Sequence, residues 1–217
     1  MSDNFLAIID YKAGNQTSVH RALKHLSIPA EVTASPKRLK DAAGIVFPGV
    51  GAAGQAMAAL KEGGLDETIK DLIGLGLPFL GICLGCQIML DYSEENDTNT
   101  LSIFPGKVIR FDKGLSDEAG VPIRIPHMGW NTLKVEKDSP LFAGIPPLSQ
   151  FYFVHSYYPD PEPKYILAKT YHGKEFCSVF GRDGAWAVQF HPEKSGAPGL
   201  SMLSNFYRYS IDKAQRG

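Results

Sequence analysis

The apolar run Pro78-Phe79-Leu80 passes through Gly81-Ile82-Cys83-Leu84-Gly85 and goes straight into a helical pattern at Cys86-Gln87. Apolar residues bounded by turn signals read as a buried parallel strand. Gly-x-Cys-x-Gly is the cysteine counterpart of the Gly-x-Ser-x-Gly nucleophile elbow, a sharp strand-to-helix turn. Such a turn strains its central residue, and the flanking glycines leave room for neighbouring backbone. It also sets the sulfur at a helix N-terminus, where unpaired N–H groups and the macrodipole favour thiolate over thiol. Cys83 is therefore the candidate nucleophile.

The rest of the first half repeats the strand–helix unit. Phe5 to Asp10 predicts a buried strand, and Asn15 to Ser27 a helix with Val19, Ala22, Leu23 and Leu26 at helical spacing. Ala30 to Ala34 and Gly44 to Phe47 read as strands, Ala53 to Leu60 and Leu65 to Leu75 as helices. This alternation implies a parallel sheet with helices on both faces. Beyond Tyr92 the texture changes to short strands broken by Gly and Pro. They are Lys107 to Phe111, Val121 to Pro126, Thr132 to Glu136, Phe151 to Ser156, Tyr165 to Thr170, Phe176 to Phe180 and Ala185 to Phe190. Asp112 to Gly120 reads as a surface loop, and a last helix runs from about Leu200 to Ile211. With no repeat or linker in view, residues 1–217 are expected to form one α/β domain whose second half adds antiparallel strands.

A nucleophile needs a base, and the base needs an orienting group. Ala185-Trp186-Ala187-Val188-Gln189-Phe190-His191-Pro192-Glu193 has strand character up to the histidine. Positions two apart on an extended segment face the same way, which predicts His191 and Glu193 on one side. Pro192 holds its predecessor extended. A carboxylate beside an imidazole fixes its tautomer and stabilises the imidazolium. Cys83, His191 and Glu193 make a complete triad.

Elbow and His-Pro-Glu together resemble the class I, triad-type glutamine amidotransferases, whose fold is flavodoxin-like: a central, mostly parallel sheet flanked by helices. The resemblance implies that Ala43-Gly44-Ile45-Val46-Phe47-Pro48-Gly49-Val50-Gly51, a strand running into a glycine-rich loop, builds half of an oxyanion hole. Backbone N–H groups of Val50 and Leu84 would converge on the developing oxyanion. Gly51, Gln87, Glu95, Ser156 and Tyr157 would hold the α-amino and α-carboxylate ends of L-glutamine.

Within that family, four further segments resemble the glutaminase subunits of imidazole glycerol phosphate synthases. They are Asp10-Tyr11-x-x-Gly14-Asn15, His127-Met128-Gly129-Trp130-Asn131, Phe151 to Tyr157, and Lys194-Ser195 after the triad acid. Lys12-Ala13 and Gln16-Thr17 depart from the usual pattern around the first of these. The resemblance implies hydrolysis of glutamine through a cysteinyl thioester. Ammonia would pass to a separate cyclase chain in histidine biosynthesis, with Asn15, Trp130, Tyr152 and Lys194 near the subunit interface. It implies no cofactor and no metal. A glutaminase for another acceptor, such as anthranilate or pyridoxal phosphate synthesis, is the alternative. A free-standing cysteine hydrolase and a non-enzymatic interaction module stand further off.

Composition is compatible with this reading. Hydrophobic residues make up 44% and charged ones 21%, with a formal net charge of -1, which gives no support for a nucleic-acid footprint. Lys37-Arg38-Leu39-Lys40 reads as a solvated helix start, and the N-terminus shows neither a signal peptide nor a membrane span. Three cysteines are an odd, sparse set that points to a reducing, cytoplasmic setting. Cys83-x-x-Cys86 also fits a redox pair, but no second feature asks for redox chemistry, so Cys86 and Cys177 read as core residues. Trp186 reads as packing. His20, His25 and His172 read as surface or cap residues, and His155 as second choice for the base.

Overall fold

The computed structural model describes residues 3–11 and 15–216, so Lys12, Ala13 and Gly14 of the opening motif lie outside the described residues. Strand β1 (Asp3–Ile9) sends Phe5, Ala7 and Ile9 into one apolar core and Leu6 and Ile8 into another. A strand buried on both faces requires a layer on each side. The chain supplies them in turn: α1 (Gln16–His25), β2 (Ala30–Thr33), α2 (Pro36–Asp41), β3 (Ala42–Gly49), α3 (Ala53–Glu62) and α4 (Leu65–Gly74). Then come β4 (Phe79–Cys83), in which every residue is buried, and the single turn α5 (Leu84–Gln87).

The second half contributes β5 (Tyr92–Ser93), β6 (Thr98–Asn99), β7 (Gly106–Arg110), β8 (His127–Thr132) and β9 (Lys134–Val135). After these follow β10 (Gln150–His155), β11 (Tyr157–Pro161), β12 (Ile166–Tyr171), β13 (Glu175–Arg182), β14 (Ala185–Val188) and α6 (Gly196–Arg216). The main sheet has eight strands in the order β2-β1-β3-β4-β14-β13-β12-β9. Its first five are mutually parallel, and β13, β12 and β9 continue antiparallel. Helices α1 and α6 cover one face through Val19, Leu23, Met202, Leu203 and Phe206. The other face is covered by α2, α3 and α4 through Leu39, Met57, Leu60, Ile69 and Leu72. Fully burying one such side chain contributes about 1.5–3 kcal/mol. Two smaller sheets, β10-β8 and β11-β7-β5-β6, lie outside the main one. No helix among the described residues is long and apolar enough to cross a membrane.

Several expectations change. Val121 to Pro126 is not a strand but irregular chain with one isolated bridge, Ser116 to Pro122. Two prolines within six positions remove the donors a ladder needs. His127 to Asn131, read as a connection, is most of β8, while the strand expected over Thr132 to Glu136 shrinks to β9. β8 lacks an apolar alternation because only His127 is buried along it. β11 carries Pro159 and Pro161 and was not predicted; it is tolerated because it forms the edge of its sheet. Helix α6 extends beyond Leu200 to Ile211 at both ends, since Pro198 falls in its first turn, where a missing N–H costs nothing.

In open parallel sheets, ligands bind beyond the carboxyl ends of the strands, near a change in strand order. Here β1, β3, β4 and β14 deliver Tyr11, Val50, Cys83 and His191 to that edge.

Candidate active site

Strand β4 ends at Cys83 with φ 55° and ψ −109°, a backbone conformation that L-residues rarely adopt. Such a residue costs about 1–3 kcal/mol and persists only where its surroundings over-determine it. They do. A β-carbon on Gly85 would overlap the Phe47 carbonyl oxygen, and one on Gly81 the Gly85 carbonyl oxygen. The glycines let β3, β4 and the following turn close around the cysteine, as their spacing predicts. The helix behind it is shorter than expected. One turn sums few peptide dipoles. Gln189 Nε2 donates to Cys83 Sγ at 3.7 Å.

His191 follows β14 in extended backbone, φ −104° and ψ 95°, and Pro192–Lys194 then forms a 3-10 turn. This corrects the expectation that strand alternation places the acid. The turn, opened by proline at its first position, carries Glu193 back toward the ring. His191 Nδ1 donates to Glu193 Oε1 at 2.7 Å, and the Glu193 carboxylate is fully buried. Asn15 Nδ2 donates to the same oxygen at 2.5 Å. Asn15 occupies the N-cap position of α1 without capping it, because its amide is committed to Glu193. Burial lowers the His191 pKa, but Cys83 and Glu193 outweigh it and raise it to about 10. Both neighbours thus favour the imidazolium. The Nε2 of His191 is buried and closes no hydrogen bond among the described residues.

Cys83 and His191 line a cavity of about 370 Å³, together with Val50, Gly51, Leu84, Gln87, Glu95, Ser156 and Tyr157, and Glu193 stands behind the histidine. The structure thus brings the expected triad, oxyanion and glutamine-holding positions to one place. Gln87 Nε2 donates to the Tyr157 carbonyl and to Gln189 Oε1, each at 2.9 Å, which leaves Oε1 as its side-chain atom for a ligand. Glu95 Oε2 accepts from Ala53 N at 2.9 Å, steadying the start of α3. Burial raises the Tyr11 pKa to about 12, and the Val50 N–H approaching its hydroxyl partly offsets this. That hydroxyl closes no hydrogen bond among the described residues.

The sequence pattern of the family described as Glutamine amidotransferase class-I matches residues 7–209. This chain belongs to that family. It is 62% identical over 204 residues to the imidazole glycerol phosphate synthase subunit HisH of Maridesulfovibrio salexigens, covering 94% of this chain and 96% of that one. The HisH subunit of Neisseria meningitidis is 44% identical over 210 residues, covering 94% and 99%. In fold the chain is similar to PurLQS of Thermotoga maritima, with a TM-score of 0.73, 16% identity and 96% and 99% of the two chains covered. It is likewise similar to a glutamine amidotransferase of the same organism, at 0.59, 17%, 98% and 86%. The flavodoxin-like class I amidotransferase architecture expected from the motifs is the one observed.

The four residues expected near a partner of this amidotransferase do not behave alike. Trp130 is 52% exposed and meets Tyr152 edge to face, the two being paired across β8 and β10. Lys194 is exposed and makes no ion pair among the described residues. Asn15, by contrast, turns inward to Glu193. Tyr152 also reaches the base through its backbone: its carbonyl accepts from His191 N at 2.9 Å. Ser195 completes that link. Its hydroxyl accepts from Tyr152 N at 2.9 Å and donates to the His191 carbonyl at 2.6 Å.

Other histidines build a buried cluster. His155 Nδ1 and the Tyr157 carbonyl lie 2.8 Å apart, and its Nε2 faces His127 Nδ1 at 3.0 Å. A carbonyl only accepts, so His155 carries its proton on Nδ1 and His127 donates to it. Burial above all lowers both pKa values, to about 3 for His155 and about 2 for His127. Both ring nitrogens of His155 are thus taken, by the Tyr157 carbonyl and by His127, which disfavours it as the base. His172, expected as a surface or cap residue, is half-buried and stacks on His127 with ring centroids 4.0 Å apart. Trp186 is packing, as expected, against Phe206 and Tyr209. Sequence reasoning missed Gln189, Ser195 and His127. Gln189 alone left a signal: an amide inside an otherwise apolar strand run, where a polar group needs buried partners.

Proposed function

We infer that this chain is the glutaminase subunit of an imidazole glycerol phosphate synthase, acting as one domain in the cytoplasm beside a separate cyclase chain. The observation that carries this reading is the buried His191–Glu193 pair facing a strained cysteine, in a chain so similar to HisH subunits. The Cys83 thiolate adds to the side-chain carboxamide carbon of L-glutamine, and the carbonyl electrons move onto oxygen. Leu84 N–H, free at the start of its turn, and Val50 N–H receive that oxyanion. His191, as the imidazolium, gives its Nε2 proton to the departing nitrogen, and ammonia leaves as the γ-glutamyl thioester forms. Water then gives a proton to His191, attacks the thioester and releases glutamate. Glu193 holds the ring and its charge throughout. Gly51, Gln87, Glu95, Ser156 and Tyr157 hold the amino-acid end of the substrate.

Val50 supports a switch. It stands in the Pro48–Gly51 loop, whose glycines let a peptide turn without steric penalty, so its N–H can face the oxyanion site in one state and leave it in another. Docking of the cyclase, through Trp130, Tyr152 and Lys194, completes it and receives the ammonia, which cyclises a phosphoribulosyl-formimino substrate. Free ammonia in water is largely protonated, so a shielded path between the sites is required.

The test is Cys83→Ala measured with and without the cyclase and its nucleotide substrate. Glutamate release should vanish, while the complex still forms and still cyclises when ammonium salt is supplied. Substantial glutamine hydrolysis by the variant would sink the assignment.

A further inference from the structure

Gln189 is wholly buried, directly beneath the nucleophile, and the chemistry above gives it nothing to do. A buried amide must satisfy both ends, and which end faces where is set by its partners. The chain of partners here begins at an unambiguous atom. The Tyr157 backbone carbonyl can only accept, so the Gln87 side-chain atom 2.9 Å from it is nitrogen. That same nitrogen lies 2.9 Å from the Gln189 side chain, which must therefore present its oxygen there. The Gln189 amide nitrogen is left facing Cys83 Sγ at 3.7 Å. The reverse orientation would set two amide nitrogens against each other and a carbonyl oxygen against a sulfur that becomes negative.

We propose that Gln189 is a positioning residue for the nucleophile, its amide held by Gln87 and the Tyr157 carbonyl so that it donates to the Cys83 thiolate. The proposal rests on Cys83 being the nucleophile and deepens that reading. It also explains how a one-turn helix suffices at the elbow. With few aligned peptides to stabilise charge, a fixed side-chain donor adds to what His191, the titratable group facing the same sulfur, supplies. The Tyr157 carbonyl in turn accepts from His155, so the donor is aimed from strand β11 and not by the elbow itself. Gln87 thus has two ends with two tasks, its nitrogen to aim Gln189 and its oxygen for substrate.

The experiment is the pH dependence of Cys83 alkylation by iodoacetamide in the full chain without glutamine. In the wild type one thiol should react, and its blocking should abolish glutaminase activity. A wild-type Cys83 that resists the reagent would overturn the nucleophile reading, and this proposal with it. Gln189→Met keeps length and removes the donor. Its alkylation midpoint should rise by about one pH unit, a tenfold loss of thiolate at pH values below the midpoint. Should that variant expose Cys86 and Cys177 to reagent, which would reveal failed packing, Gln87→Leu takes its place. That change leaves the donor but frees it to turn, and the midpoint should rise by a smaller amount. A wild-type midpoint in the folded variant overturns the proposal, whatever happens to the glutamine KM, since a merely structural amide would not move the sulfur's titration.

Discussion

At Glu193 one carboxylate oxygen receives both the His191 ring and the Asn15 amide, while Oε2 is buried without a partner among the described residues. A buried carboxylate is costly unless paired, so this arrangement tolerates loss of a donor poorly and fixes the ring firmly. Removing the base and removing its orienting group should therefore differ in size. His191→Asn eliminates the proton carrier, and the rate of glutamate release in the complex should fall by about 10⁵-fold or more. Glu193→Gln leaves the ring in place with a neutral partner, and a loss of about 10³–10⁴-fold is expected. Steady-state kinetics of both variants check the order. Equal losses would mean that Glu193 does more than orient. Ser195 acts at the same scale without touching substrate: it ties the His191 carbonyl to the Tyr152 N–H, so one small hydroxyl joins the base to strand β10.

At the scale of elements, the ribbon of β8 and β10 lines the cavity through Val154 and His155 and carries the exposed Trp130, and its inner end is the buried pair His127 and His155. Both are kept neutral by burial, far below the ordinary value of 6.5. A histidine whose pKa is depressed on folding is protonated more readily in the unfolded chain. Its stabilising effect is present above pH 6.5 and lost as pH falls toward the folded value near 3. Between pH 7 and pH 5, His155 alone should cost the fold about 2 kcal/mol. Urea unfolding at the two pH values should show that loss, and His155→Gln should remove about that much of the difference. A variant curve parallel to the wild type would show that the ring is not held neutral. This ribbon is also where the sequence was least legible. Strands β1, β3 and β4 announce themselves because burial on both faces demands unbroken apolar runs. Strand β8 is half-exposed and turns its apolar Met128 and Trp130 outward, so its pairing is written in hydrogen bonds that no periodicity records. The triad was legible because strain and proton transfer restrict residue types at fixed spacing. The way Glu193 reaches His191, through a 3-10 turn, was not, since proline permits an extended or a turned continuation equally.

At the scale of the whole molecule, the carboxyl edge of the sheet gathers the nucleophile, the base and an exposed rim, and Lys194 belongs to that rim. It follows the triad acid directly, on the outside of the 3-10 turn, where its ammonium has no anionic partner among the described residues. Trp130 and Met128, exposed at 52% and 63%, stand on β8. Trp130 packs on Tyr152, whose backbone bonds His191 and Ser195 on either side of Lys194. Apolar groups joined in this way to a free cation are the make-up of a docking surface with a charged rim. A lone surface lysine is commonly inert, and what argues otherwise is that it shares a turn with Glu193. Anything that grips Lys194 also holds the base in register with the partner's entrance for ammonia. We therefore expect an acidic group of the cyclase to meet it. Lys194→Ala should leave glutaminase activity measurable in the complex but lower the ratio of cyclised product to glutamate below one. Association should weaken by about 1 kcal/mol for a rim ion pair, and by more if docking excludes water from it. Raising ionic strength should reproduce part of the defect in the wild type and little in the variant, because screening acts on a charge the variant lacks. A product-to-glutamate ratio that stays near one in Lys194→Ala would remove this lysine from the coupling and leave the alignment of the two sites to the apolar face of the ribbon.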